Sequence, residues 1–195
     1  MNKTFLAVFM ASISFIAFSQ TLSEGWDSRT ATYKNVEHNI RWQLIEDLNW
    51  TSRPIIGEDI LLKVRNDDTH ILVKLSANKT TPIPHDKDIW DYISTMESVI
   101  EDDQKQQAAY YSMEYVGVKV VKSQLCGIHA VKARSDMKKY YPEYNQTVHS
   151  IDITYSLYTN KHLYIISVTA LSVIEEEIEI FDRIATELFN GFEIR

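Results

Sequence analysis

The hydrophobic period of this sequence changes from two residues to about 3.6 residues twice along the chain, and returns to two residues in between. Apolar and polar residues alternate from 151 to 157, whereas apolar residues recur at spacings of three and four within 87–107 and again after residue 172. The resulting order is strands, helix, strands, helix. This order predicts an α+β fold in which two amphipathic helices pack on a mixed or antiparallel twisted sheet.

Each predicted helix carries one apolar stripe, and each stripe needs a face of the sheet to cover. The stripes are Ile89, Ile93, Met96 and Ile100 in the first helix, and Ile178, Phe181, Ile184 and Leu188 in the second. Asp86 or Asp88 is placed to cap the start of the first helix. Ser172 and Glu175 form a capping-box pattern at the start of the second helix, and Gly191 is placed to end it in the left-handed conformation.

The strand signals lie on both sides of the first helix. Early strands are predicted within 33–50, where Ile40, Trp42 and Leu44 share one face. A β-hairpin is predicted from 60–64 and 69–76, because the residues between them include Asn and Asp, which tolerate tight turns. The later predicted strands are 115–123, 127–133, 151–158 and 163–170.

The first nineteen residues have the layout of a secretory signal peptide. Lys3 supplies the positive charge, residues 5–18 are apolar, and small residues precede a cut ahead of Gln20. As a helix the apolar segment rises roughly 21 Å, against a membrane core of about 30 Å, which favours cleavage over an uncleaved anchor. We therefore predict a signal peptide at 1–19, a leader at 20–30 and a single domain at 31–195, located in the periplasm or outside the cell.

Charge and cysteine content narrow the classes of partner and the source of stability. Lys3 is the only charged side chain that cleavage removes, which leaves 19 basic and 27 acidic residues and a net charge of −8. This excess argues against nucleic acid and anionic membranes as partners, and no later segment is apolar enough to span a membrane. Cys126 is the only cysteine, so no internal disulfide forms, and its apolar neighbours predict a buried, inert thiol.

Several local patterns resemble the PsbP-like fold family. They are the early aromatic strand with Ile40, Trp42 and Trp50, the hairpin at 60–76, the step Cys126-Gly-Ile-His-Ala130, and the closing segment 181–192. The resemblance implies a three-layer architecture and a binding or accessory domain rather than an enzyme. It implies no catalytic residue and no cofactor.

One cluster in the sequence has the residue types of a cation site. His85, Asp86 and Asp88 precede the first helix, and two carboxylates with an imidazole can hold a divalent cation. The alternative is a capped helix start with acids near its positive end, which needs no metal. Motifs of nucleophilic hydrolases, such as G-x-S-x-G, do not occur.

The segment 137–145 has the most distinctive local composition, with three tyrosines around a proline. Tyr140, Tyr141 and Tyr144 are candidates for stacking on a sugar ring or anchoring a protein partner. The alternative is that the rings cover a sheet edge. A second tyrosine group, Tyr110, Tyr111 and Tyr115, lies at a predicted helix-to-strand junction, where burial is expected.

The sequence therefore predicts an exported, non-enzymatic binding or accessory domain that recognises a protein or glycan partner. The alternative is a small periplasmic hydrolase or a divalent-cation-binding protein that uses residues 85–88. Asn49, Asn78 and Asn145 match the N-glycosylation pattern, which matters only in a host that modifies exported proteins in this way.

Overall fold

The computed structural model describes residues 25–55, 59–159 and 161–195. The predicted signal peptide and residues 20–24 of the predicted leader lie outside these residues. Two α-helices occur in the described ranges, α1 (Ile93–Tyr111) and α2 (Ile178–Asn190), each preceded by a short 3-10 turn, Ile89–Tyr92 and Glu175–Glu177. The strands are β1 (Gly25–Asp27), β2 (Thr32–Asn35), β3 (Ile40–Gln43), β4 (Trp50–Ser52), β5 (Ile60–Asn66), β6 (Ile71–Lys79), β7 (Glu114–Leu125), β8 (Ile128–Tyr141), β9 (Gln146–Thr159), β10 (His162–Ile174) and β11 (Phe192–Ile194). Neither helix combines the length and apolarity that crossing a membrane requires.

The strands form two sheets, and every described pair is antiparallel. The larger sheet has seven strands in the order β4-β5-β6-β10-β9-β8-β7, so β7 forms one edge. The smaller sheet has the order β1-β2-β3-β11. The prediction of a mixed or antiparallel sheet is confirmed in its antiparallel form.

The main core lies between one face of the larger sheet, α2 and the smaller sheet. Trp42 of β3 is fully buried there, and its indole N–H donates to the carbonyl of Leu188 in α2 at 2.7 Å. Its ring meets Phe192 of β11 edge-on, with centroids 5.3 Å apart. These contacts join β3 to the last turn of α2 and to β11, the strand that follows it.

Helix α1 packs on the opposite face of the larger sheet, over β7 and β8. The register pairs Arg134 with Ile153 and Ala133 with Thr154, so Ala133 and Ile153 point to opposite faces. Both are buried, Ile153 in the core beside α2 and Ala133 on the face that α1 covers. The fold therefore has three layers, as predicted.

The stripe predicted for the first helix is buried only in part. Ile89 is buried, but Ile93, Met96 and Ile100 are half-buried, and the most enclosed residues of α1 are Gln104 and Ala108. In α2, by contrast, Phe181 and Leu188 of the predicted stripe belong to the core, and Ile178 and Ile184 pack against it.

The helix boundaries confirm one predicted cap and correct another. Asp88 caps the 3-10 turn before α1 by accepting from the backbone N–H of Trp90 at 3.0 Å. The capping box at Ser172 is wrong, because β10 continues to Ile174 and Ser172 is a strand residue. The turn at Glu175–Glu177 has no side-chain cap.

Gly191 ends α2 as predicted, but for a different reason. Its φ is −80°, which is not left-handed. The backbone N–H of Gln43 donates to the Gly191 carbonyl at 2.9 Å. A Cβ added at Gly191 would lie 2.0 Å from the Gln43 carbonyl oxygen. Glycine is therefore required by a close approach of two backbones.

Candidate partner-binding site

The predicted tyrosine loop is a tight turn between two long strands. Strand β8 continues through Tyr141 and β9 begins at Gln146, so only four residues connect them. Tyr140 and Tyr144 are 54% and 74% exposed. Tyr141 is half-buried, and the ammonium group of Lys139 lies 5.4 Å from its ring centroid. Two of the three candidate tyrosines thus face solvent.

The second tyrosine group is more exposed than the sequence predicted. Tyr110 and Tyr111, the last residues of α1, are 81% and 58% exposed, so the expectation of burial is wrong for both. Their rings meet edge-on at a centroid distance of 5.0 Å. The helix ends here because Ser112 is left-handed, with φ of 52°, which turns the chain away toward β7. Tyr115 is half-buried beside Lys105.

The two tyrosine groups lie at the same end of the larger sheet. Glu114, the first residue of β7, pairs with Lys138 of β8, two residues before Tyr140. Two strand residues span about 7 Å, and α1 ends only three residues before β7. We call the exposed tyrosines Tyr110, Tyr111, Tyr140 and Tyr144 the tyrosine end.

The surroundings of the tyrosine end carry charges of both signs. The ammonium of Lys138 lies 3.5 Å from a carboxylate oxygen of Glu114. The hydroxyl of Tyr140 donates to the Asn145 side-chain oxygen at 2.8 Å, which fixes that ring across the turn. Val116 is exposed where the register between β7 and β8 shifts, and adds an apolar side chain near the start of β7.

The candidate cation residues are not gathered into one site. His85 and Asp86 are exposed, while the carboxylate of Asp88 is engaged by the Trp90 backbone and by His129, whose Nδ1 lies 2.5 Å away. The Trp90 N–H, followed by the His129 contact, holds the pKa of Asp88 below its ordinary value. Within 25–55, 59–159 and 161–195, no three His, Cys, Asp or Glu side chains form a group that could hold a metal ion.

Sequence reasoning missed the cluster around His129. The ring of Trp90 stacks on His129, and the ammonium of Lys122 lies 5.6 Å from the Trp90 ring centroid. Trp90 and His129 are 39 positions apart, and no spacing rule relates them. Only the pairing of β7 with β8 beneath the start of α1 brings them together.

Cys126 is exposed, so the prediction of a buried cysteine is wrong. Cys126 and Gly127 are the two turn residues between the paired strand ends Leu125 and Ile128, and their φ angles are 54° and 76°. Positive φ at both turn positions is the geometry of a type I′ hairpin, which places the turn at the surface. The sulfur itself faces inward and donates to the Phe192 carbonyl at 2.9 Å. This local burial raises the pKa of the thiol.

Comparison with known proteins identifies the fold. No family model matches the sequence, and no curated protein matches it significantly. The solution structure of cyanobacterial PsbP (CyanoP) from Synechocystis is 9% identical, covers 87% of this chain and 94% of its own, and superposes with a TM-score of 0.52. This likeness establishes the PsbP-like fold and carries no residue role.

Two further structures are similar at lower TM-scores. The Ran-binding protein Mog1p of Saccharomyces cerevisiae is 8% identical, with 84% of this chain and 94% of that chain covered and a TM-score of 0.46. LpqN, involved in cell envelope biogenesis of Mycobacterium tuberculosis, is 12% identical, with 80% and 82% covered and a TM-score of 0.45.

Proposed function

We propose that this protein is an exported binding domain that recognises a protein partner through the tyrosine end. The observation that carries the proposal is the exposure of four tyrosines at one end of the sheet, from 54% for Tyr140 to 81% for Tyr110. Tyrosine is enriched among the residues that dominate protein interfaces, because it brings a large area at low entropy cost. Rings that covered a sheet edge would be shielded from solvent, and these are not.

The geometry favours a protein over a glycan. Stacking on consecutive sugar rings needs aromatic faces that are roughly coplanar, whereas Tyr110 and Tyr111 are inclined at 86°. Polar groups here are also engaged, since Tyr140 bonds to Asn145 and Lys138 pairs with Glu114. Two rings at right angles present one edge and one face to a partner, which suits a protein surface of mixed side chains.

The tyrosine end does not have the features expected of a catalytic site. A small-molecule or catalytic site is expected to be concave, with convergent polar groups. The cleft beside α2 and the hollows on the smaller sheet lie elsewhere. We therefore propose that binding uses the exposed aromatic surface of the tyrosine end.

The proposal is tested by recovering partners from the native compartment with the mature protein as bait. Two double variants each remove half of the surface: Tyr110→Ser with Tyr111→Ser, and Tyr140→Ser with Tyr144→Ser. Tyr92→Ser is the matched control, because Tyr92 is also exposed but lies in the 3-10 turn at the other end of α1. Quantitative mass spectrometry then compares the captured proteins.

We expect one protein to be captured by the wild type and the control, and depleted about tenfold or more by each double variant, since a tyrosine at an interface contributes about 2 kcal/mol. Equal capture by all four proteins would refute the proposal. Binding to a glycan array that both double variants lose would assign the surface to a glycan instead. Thermal unfolding of each variant serves as the folding control.

Export rests on residues 1–19 and has its own test. Mass spectrometry of the product recovered outside the cytoplasm should give an N-terminus at Gln20 or within a residue or two of it. Recovery of protein with an intact Met1 would contradict the signal peptide while leaving the tyrosine end to be judged separately.

A further inference from the structure

A cleft of about 280 Å³ lies between α2 and strands β8 and β9, closed at one end by the Cys126 turn and β11. The turn connects β7 to β8 at the opposite end of that hairpin from the tyrosine end. The cleft is therefore separate from the surface proposed above. Its volume lies near the lower limit of small-molecule sites, which span about 300–1,000 Å³.

The floor of the cleft is apolar. Ile153, Ala185, Phe189 and Phe192 line it, and all four are buried. The ring of Tyr155 stands beside Phe189 with a centroid distance of 4.6 Å, forming an aromatic wall. This lining suits a flat ring or a short acyl chain, which would gain free energy by leaving water.

The mouth of the cleft carries a single formal charge. Lys132 is the only ionised side chain among the lining residues, and its ammonium lies 5.4 Å from the Tyr155 ring centroid. In the described part of the chain, Lys132 forms no salt bridge with a carboxylate. Thr186 and Asn190 add a hydroxyl and an amide at the same mouth. In a chain of net charge −7, the one charge at this cleft is positive.

The position of α2 limits how much negative charge the cleft can accept. Phe189 and Asn190 are in the last turn of α2, and the C-terminal end of a helix carries a partial negative charge. The positive charge of Lys132 can offset the repulsion between this helix end and a ligand with one negative charge. A dianion such as phosphate would face the helix end with insufficient positive charge.

We propose that this cleft binds a small amphiphilic monocarboxylate. The ring or acyl chain occupies the floor between Phe189 and Ile153, and the carboxylate lies at the mouth beside Lys132. The side-chain amide of Asn190 donates a hydrogen bond to a carboxylate oxygen, whereas the Thr186 hydroxyl already donates to the Asp182 carbonyl at 2.8 Å. The assignment does not depend on the proposed protein partner.

The single cysteine provides a built-in reporter of occupancy. Cys126 lies in an exposed turn, and its inward-facing sulfur lines the same cleft. A bound ligand should therefore slow its alkylation by iodoacetamide. Because burial raises the pKa of this thiol, the reaction is followed at about pH 9, where more thiolate is present. The probes are benzoate and hexanoate, with benzamide as the neutral analogue of benzoate.

We expect benzoate or hexanoate at about 10 mM to slow alkylation of the wild type at least about threefold, and benzamide to have little effect. Lys132→Met should raise the protecting concentration about tenfold or more, as expected for loss of a charge-assisted contact. The matched control is Lys119→Met, since Lys119 is an exposed lysine on the neighbouring strand that does not line the cleft. Backbone amide shifts in NMR spectra give an independent readout.

The assignment is overturned if neither acid protects Cys126 or shifts the amides of cleft residues. It is equally overturned if benzamide protects as well as benzoate, because the carboxylate would then be irrelevant. Equal weakening by Lys119→Met and Lys132→Met would replace a specific contact with general electrostatic attraction, and would also overturn it.

Discussion

The indole ring of Trp90 lies parallel to the imidazole of His129, with their centroids 3.7 Å apart and their planes inclined at 12°. The indole N–H donates to the carbonyl of Ala130 at 2.8 Å. These contacts attach the start of α1 to strand β8, which follows it in the chain by about forty residues. The helix therefore does not depend on its half-buried stripe alone.

Replacing Trp90 by Ala should lower the free energy of unfolding by about 2 kcal/mol, because it removes a half-buried ring and its hydrogen bond to the Ala130 carbonyl. Tyr92→Ala, at an exposed position in the same turn, should change it by less than about 0.5 kcal/mol. Urea unfolding followed by circular dichroism measures both. Similar values for the two variants would mean that the stack does not hold the helix.

Two glycines should respond in opposite directions to the same substitution. Gly191→Ala should destabilise the protein by about 2 kcal/mol or more, since its Cβ would meet the Gln43 carbonyl oxygen at 2.0 Å. Gly117→Ala has nothing within 4 Å of the added Cβ, and should be neutral or stabilise by up to about 1 kcal/mol. A tolerated Gly191→Ala would show that β3 and the end of α2 can separate at little cost.

Two neighbouring residues of α2 give a matched test of the core. Phe181 is 3% exposed and Ile180 is 47% exposed. Phe181→Ala should cost about 3–5 kcal/mol of a total stability of about 5–15 kcal/mol, whereas Ile180→Ala should cost less than about 1 kcal/mol. A loss below about 1 kcal/mol at Phe181 would remove α2 from the core and contradict the layer arrangement.

His38 should make the protein less stable in mild acid. Its Nδ1 lies 2.9 Å from the Tyr164 hydroxyl, and its ring meets His162 edge-on at 4.9 Å. Burial, and then the proximity of His162, lower the pKa of His38 below 6.5, against a smaller opposing effect of Glu37. The unfolded chain therefore takes up the proton first, so this contribution is present above about pH 6.5 and is lost as the pH falls through the folded-state pKa.

The measurement compares urea unfolding of the wild type and His38→Gln at about pH 8 and about pH 5. The wild type should lose more stability between the two pH values than the variant does. Equal losses would show that His38 takes up its proton as readily in the folded protein as in the unfolded chain.

The sequence predicted the elements whose patterns are local. Alternation from Ile151 to Leu157 and helical spacing through Phe181 and Leu188 each report burial within one element, and both predictions match the structure. The capping box at Ser172 failed because β10 pairs with β9 to its very end, with Ile174 opposite Val148. Pairing between strands outweighed a local helix-start pattern.

The candidate sites were harder to predict because they combine distant residues. Tyr140 and Tyr144 are adjacent in sequence and were found there, but their proximity to Tyr110 depends on the pairing of Glu114 with Lys138. The exposure of Cys126 had a local signal, since a residue followed by Gly between two β-forming runs is typical of a hairpin turn. The cleft beside α2 had none, because Lys132 and Tyr155 meet Ala185 and Phe189 only after the helix has docked.

The edge position of β7 also bears on how the molecules behave toward one another at high concentration. A twelve-residue edge strand presents unpaired backbone groups on which a second copy can assemble. Lys119 and Lys122 lie on this strand, and neither forms a salt bridge with a carboxylate in the described ranges. If the β7 edges of two copies approached each other, their lysines would repel. This repulsion, rather than a helix or loop covering the edge, opposes the pairing of two sheets. Salt screens that repulsion. We therefore expect this protein to begin to associate at high salt concentration.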